Sequence, residues 1–131
     1  MTLVVDASVA LWACGAGGRF DVLGGEDLVA PPLMWSECWS ALHAAVWRRR
    51  ISRTRADAMR AELRGAGIAA RRHRRLGDEA WRIADELGWA KTYDAEYVAL
   101  AGLLGCRVVT LDGRLRRRAE QLGFVVTPAD L

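Results

Sequence analysis

Histidine, lysine and paired cysteine are scarce in this 131-residue chain, and each scarcity removes a class of chemistry. The two histidines, His43 and His73, show no metal-ligand spacing. His43 lies in a helical pattern and His73 in a basic stretch, so a zinc hydrolase or a histidine nucleophile has little support. The three cysteines, Cys14, Cys38 and Cys106, are widely spaced and form no CxxC pair. Each falls in an apolar pattern, which reads as a buried thiol in a reducing cytoplasm, not as a disulfide framework. No apolar run reaches the roughly 18 residues of a membrane span. The opening MTLVVDASVALW lacks a basic n-region and is interrupted by Asp6, so no signal peptide is expected. Gly15-Ala16-Gly17-Gly18 does not have GxGxxG spacing and follows a helical pattern, and no phosphate-binding GxxxxGK loop occurs. Nucleotide cofactors are therefore not implied. Asp6-Ala7-Ser8 lacks the second aspartate of a DxD phosphatase loop. Lys91, the sole lysine, does not sit after a late strand as a phospho-receiver lysine would.

The chain is instead rich in apolar residues, at 52%, enough for one core in one domain. No repeat or long linker divides it. Leu3 to Val5 reads as a short buried strand that ends at Asp6, followed by a helix over Ala7 to Cys14. Gly15, Gly17, Gly18, Gly24 and Gly25 mark a loop region. Leu28 to Ala30 reads as a second strand, stopped by Pro31-Pro32. From Leu33 to about Arg49 the pattern is helical, with Trp35, Cys38, Leu42 and Val46 facing the core. Glu37, Ala41, Ala44 and Arg48 share another face, where small alanines leave room before the Glu37 carboxylate. Helices are expected over Thr54 to Arg64, Asp78 to Leu87, Asp94 to Leu104 and Leu115 to Leu122. The stretch 71–75 fits either loop or helix. Thr92 is expected to cap the helix that begins near Asp94. Cys106 to Leu111 is the clearest strand, and Phe124 to Val126 is the last, closed by Pro128. Strands separated by helices predict a parallel sheet covered on both faces, with ligands bound beyond the C-terminal strand ends.

Four acids stand at the margins of these segments: Asp6, Glu37, Asp94 and Asp112. Taken singly, most have ordinary readings. Asp6 can cap a helix, Asp94 can complement a helix dipole, and Asp112 can be the turn residue of Asp112-Gly113. A capping role does not explain Glu37, which lies inside an apolar stretch between Trp35 and Cys38. One sheet edge collecting all of these carboxylates would be costly unless hard cations occupied it. That arrangement fits Mg²⁺-dependent chemistry on phosphodiesters, in which the ion polarises the phosphate and activates a water. Ser8 and Thr110 are candidate hydrogen-bonding supports for the acids. Tyr93 and Tyr97 can pack or hydrogen-bond near the mouth, with packing the favoured reading. Glu96 is expected to face solvent, and Asp130 would approach only if the tail folds back.

The formal net charge is +3, and nearly all of the basic residues are arginine. They cluster at Arg48-Arg49-Arg50, at Arg71-Arg72 with Arg74-Arg75, and at Arg116-Arg117-Arg118. A solvated surface accounts for any one cluster. Several of them beside an acidic centre favour a polyanionic substrate, with Arg48, Arg71, Arg72, Arg74 and Arg75 as candidate contacts to it. Six tryptophans, at positions 12, 35, 39, 47, 81 and 89, are many for this length and favour some interface role beside core packing.

The segments VVDASV, SECWSAL, TYDAEYVALA and VVTLDGRL, in this order, resemble the PIN-domain family and especially the VapC-type ribonuclease toxins of bacterial type II toxin–antitoxin modules. The resemblance covers nearly the whole chain. It implies one PIN domain over 1–131, an α/β/α sandwich around a five-stranded parallel sheet. It implies a site for Mg²⁺, or Mn²⁺ in its place, held by Asp6, Glu37, Asp94 and Asp112, with Thr110 supporting it. It further implies cleavage of structured RNA such as transfer or ribosomal RNA, homodimerisation, and inhibition by a small cognate antitoxin. Gly113 departs from relatives that carry a polar or acidic residue after the last aspartate, which puts a second metal position in doubt. Two alternatives remain beside this reading: a nonenzymatic nucleic-acid-binding module, and a DNA-directed nuclease of the same fold.

Overall fold

Leu3, Val4 and Val5 have no exposed surface, which places the first strand at the centre of the molecule. The computed structural model describes residues 1–15 and 19–131. Strand β1 (Thr2–Val5) pairs on one side with β2 (Asp27–Ala30) and on the other with β4 (Arg107–Val109). The edges are β3 (Ala69–Ala70), beside β2, and β5 (Val125–Val126), beside β4. All pairings are parallel, in the order β3-β2-β1-β4-β5. A strand buried on both faces needs an unbroken apolar run, and β1 and β4 supply it with Leu, Val and little else.

Among the described residues six α-helices complete an α/β/α sandwich: α1 (Ala7–Gly15), α2 (Leu33–Trp47), α3 (Arg53–Gly65), α4 (Leu76–Leu87), α5 (Tyr93–Leu104) and α6 (Gly113–Ala119). Helices α1, α2 and α3 pack on one another, while α4 packs on α5, which covers β1 and β4. Helix α5 is apolar on nearly every side, and Ala95 and Tyr97 to Ala101 are all buried. Its small alanines let it lie close on the sheet. Gly88 and Gly105 end α4 and α5 in the left-handed region, where a side chain would be strained.

Several local expectations change. Strand β3 has no β-forming signature of its own; it exists because Ala69 and Ala70 pair with Val29 and Ala30. Residues 71–75 form no helix, and α4 begins directly after them, at Leu76. The strand expected over Cys106 to Leu111 is only Arg107–Val109. Thr92 occupies the position before α5 but makes no side-chain cap. Ala16, Gly17 and Gly18, part of the expected glycine loop, lie outside the described residues. None of the six tryptophans is fully buried, and Trp47 and Trp81 are largely exposed. Trp39 lies beneath the guanidinium groups of both Arg60 and Arg64. Among the described residues no helix is long and apolar enough to cross a membrane.

Candidate active site

The chain runs outward from β1 to β2 and β3, then returns to β4 on the other side of β1. The crevice at such a reversal, outside the carboxyl ends of the strands, is where open parallel sheets hold ligands. Asp6 leaves β1 at this point and Thr110 leaves β4. Their neighbours Val5 and Val109 are register partners, so the next residues stand side by side.

Asp6 is almost completely buried. Its Oδ1 accepts from Ser8 Oγ at 2.6 Å and from the Val9 amide at 3.0 Å. Its Oδ2 accepts from Thr110 Oγ1, 104 residues away. Asp6 therefore caps α1 and faces the crevice at once. Burial lifts its pKa above the usual 3.8, and the nearby Asp112 adds to the lift. The Ser8, Thr110 and Val9 donors act in the opposite sense by stabilising the carboxylate. Ser8 Oγ also accepts from the Leu111 amide at 3.0 Å, and Thr110 Oγ1 from the Asp112 amide at 2.9 Å. These two hydroxyls tie the end of β1 to the turn after β4.

Asp112 caps α6 through Oδ1, which accepts from the Arg114 amide at 2.9 Å and more weakly from Leu115 at 3.4 Å. Glu37 lies just past the first turn of α2, which starts behind β2. Its Oε1 accepts from the Tyr97 hydroxyl. Burial raises the Glu37 pKa, the Tyr97 bond lowers it, and the Asp94 and Asp6 charges raise it again. Asp94 occupies the first turn of α5. Its pKa is raised by burial and by Asp112, and lowered by Arg114 and Arg118. The four acids named from the sequence thus lie at one sheet edge, where the Asp112 charge acts on Asp6 and Asp94, and the charges of these two act on Glu37.

Other assignments change. Tyr97 is not merely packed: its buried hydroxyl holds Glu37, and burial together with that carboxylate pushes its own pKa far upward. Glu96 is half-buried rather than solvated, and its pKa is raised by burial and by the Glu37 charge. Asp130 instead closes a capping box with Thr127 at the exposed C-terminal turn. Arg48, Arg71, Arg72, Arg74 and Arg75 do not line the cavity beside Glu37 and Asp94; Lys91, Arg114 and Arg118 do. Arg48 ends α2, eleven residues beyond Glu37 and so roughly 16 Å along the helix. Arg71 and Arg72 follow edge strand β3. Residue spacing could have flagged Tyr97, three positions after Asp94 on one helix face, but not its partner. Arg118 belongs to a cluster visible in the sequence, although nothing local distinguishes it from Arg116 or Arg117.

The donor set fits a hard divalent cation. All its donors are carboxylate oxygens, partly desolvated and mutually repelling, and a bound cation relieves that repulsion. Among the described residues no three acidic, histidine or cysteine side chains stand close enough together to hold a metal ion between them. An open site is what Mg²⁺ uses, since one or two carboxylates suffice when waters and substrate phosphates complete its shell. The thiol of Cys38, on the buried face of α2, is pushed up to about 12 by burial and neighbouring negative charge, so it offers no thiolate.

A family model described as the PIN domain matches residues 3–121. The chain is 38% identical to VapC ribonuclease Mb0985 of Mycobacterium bovis over 130 residues, covering 96% of this chain and 98% of that one. It has the same identity and coverage with ribonuclease VapC9 of Mycobacterium tuberculosis H37Rv. The crystal structure of PAE2754 from Pyrobaculum aerophilum superposes with a TM-score of 0.75 at 26% identity, covering 99% of this chain and 91% of that one.

Proposed function

Because the chain belongs to the PIN-domain family, we propose that it is an endoribonuclease toxin of the VapC type, dependent on Mg²⁺ or Mn²⁺. Its substrate is structured RNA, transfer or ribosomal, and a small cognate antitoxin keeps it inactive in the cytoplasm. Residues 1–131 act as one PIN domain, paired in a homodimer. The observation that carries this reading is the gathering of Asp6, Glu37, Asp94 and Asp112 at the reversal point of the sheet, each close enough to another to perturb its ionisation or its own.

Asp6, Glu37, Asp94 and Asp112 would hold the cation. When bound, it polarises the scissile phosphate and lowers the pKa of an attacking water. The remaining work falls to the chain. Ser8 and Thr110 orient Asp6 and favour its carboxylate form against the effect of burial. Tyr97 does the same for Glu37. Supports of this kind set ligand orientation and basicity. Lys91, Arg114 and Arg118 offset the acidic charge at the mouth and attract the phosphodiester backbone. A binding module without catalysis would have no use for desolvated carboxylates that repel phosphate.

The test is expression of the chain with and without its antitoxin, followed by mapping of RNA 5′ ends, and digestion of RNA and DNA side by side. Growth arrest, discrete new ends in one or a few structured RNAs, and loss of both in Asp94→Asn are expected. Purified protein should cut with Mg²⁺ and stop with chelator. Arrest without new ends, or equal arrest from Asp94→Asn, would reject the mechanism. Preferential cutting of DNA would assign the site to a DNA-directed nuclease.

A further inference from the structure

Beside the carboxylates lies a recess of about 330 Å³ whose far walls are aromatic and basic. Glu37 and Asp94 form one side, and Trp89, Lys91, Tyr93, Arg114 and Arg118 form much of the rest. The hydrolytic machinery gives its two aromatic residues no role, and its basic residues only a general attraction for phosphate. Tyr93, directly before Asp94, is 57% exposed. The indole Nε1 of Trp89 is buried with no acceptor, a loss that proteins seldom tolerate at an unused site. Lys91, Arg114 and Arg118 form no ion pair among the described residues.

We propose that this recess takes one unpaired nucleotide of the RNA substrate, with its base stacked on Tyr93 and its backbone phosphate held by Arg114 and Arg118; the assignment rests on the ribonuclease reading above. The volume is at the lower end of small-molecule sites, roughly 300–1,000 Å³, so it admits one nucleotide and not a helix. Aromatic faces bind any exposed base, whereas a duplex keeps its base faces covered. A duplex could reach the cations but could not cover Tyr93. Arginine adds directional donors that fit phosphate oxygens. Stacking beside Asp94 would set which phosphate meets the carboxylates, so RNA loops would be cut and stems spared.

The probe is a short RNA hairpin carrying one 2-aminopurine in its loop, compared with a fully paired duplex. Both are titrated into the full chain with Ca²⁺ in place of Mg²⁺, and cleavage is followed separately with Mg²⁺. Tyr93→Leu should weaken hairpin binding about tenfold and abolish the stacking quench, while leaving duplex binding unchanged. In cleavage KM should rise while kcat stays near wild type. Tyr93→Phe retains the ring and should behave as wild type. Replacing Arg114 and Arg118 by alanine should flatten the salt dependence by about 0.7 log units per lost phosphate contact. Wild-type affinity and quench in Tyr93→Leu would overturn the subsite, and cleavage by the native chain would still leave the ribonuclease reading standing. Tyr93-dependent hairpin binding with no cleavage under any divalent cation would have the converse meaning. A changed oligomeric state in Tyr93→Leu with unchanged RNA binding would make the ring a protein contact and overturn the proposal.

Discussion

Replacing Thr110 with valine deletes one hydroxyl at the centre of the site and hardly alters the packing volume. That hydroxyl is completely buried, donates to Asp6 Oδ2 and accepts from the Asp112 amide at 2.9 Å. A hydrogen bond to a charged group contributes about 1.5–3 kcal/mol, and leaving the Asp112 amide unpaired costs roughly 1–3 kcal/mol more when desolvated. Asp112 is half-buried, so the lower end of the second figure applies. The added methyl offsets about 0.8 kcal/mol. A net loss of roughly 2–3 kcal/mol follows, a large share of a typical stability of about 5–15 kcal/mol. With a urea slope near 2 kcal/mol/M, the unfolding midpoint should fall by about 1–1.5 M. Activity should change in a characteristic way. Thr110 is one of the groups that lower the Asp6 pKa against burial. Without it the carboxyl protonates at higher pH, so the acid limb of the pH–rate profile should move upward. Thr110→Ser should keep the limb in place and cost only a buried methyl. Urea denaturation and RNA cleavage across pH measure both effects. A wild-type midpoint with an unshifted acid limb in Thr110→Val would show that the hydroxyl neither braces the turn nor tunes Asp6.

Tyr97→Phe keeps the buried ring but removes the donor to Glu37, so cleavage should fall about 10–100-fold while the fold persists; activity equal to wild type would detach Glu37 from the chemistry. Asp94→Asn should abolish cleavage yet stabilise the cation-free protein. The folded Asp94 pKa is raised above 3.8, so its ionisation lowers stability as pH climbs through the unfolded and then the folded value. The melting-temperature advantage of the mutant should therefore widen as pH rises above the unfolded value of roughly 4, and a constant gap would refute the burial and repulsion argument. Replacing Arg71, Arg72, Arg74 and Arg75 together should weaken RNA association at low salt and matter less at high salt. Unchanged low-salt affinity would assign that patch to another surface role.

The order of strands and helices was legible because Leu3 to Val5 and Val108-Val109 are buried apolar runs and α5 is apolar on nearly every side. The acids were legible for a related reason: a carboxylate breaking an apolar run at a strand end stands out, as Asp6 does after Leu3 to Val5. Glu37 stood out because nothing local requires it. Much of the rest had no local signal. Strand β3 is two alanine residues whose state is decided by pairing with β2. The Thr110–Asp6 and Tyr97–Glu37 bonds join residues 104 and 60 positions apart, and they form only because β4 lies beside β1 and α5 packs on both. The arginine clusters were equally visible as sequence, yet only the return of the chain through β4 brings Arg114 and Arg118 to the cavity. Residue type and local periodicity thus determined the elements and the acids. Strand order and register decided which distant side chains meet, because a hydrogen bond acts over about 3 Å and takes no account of sequence separation.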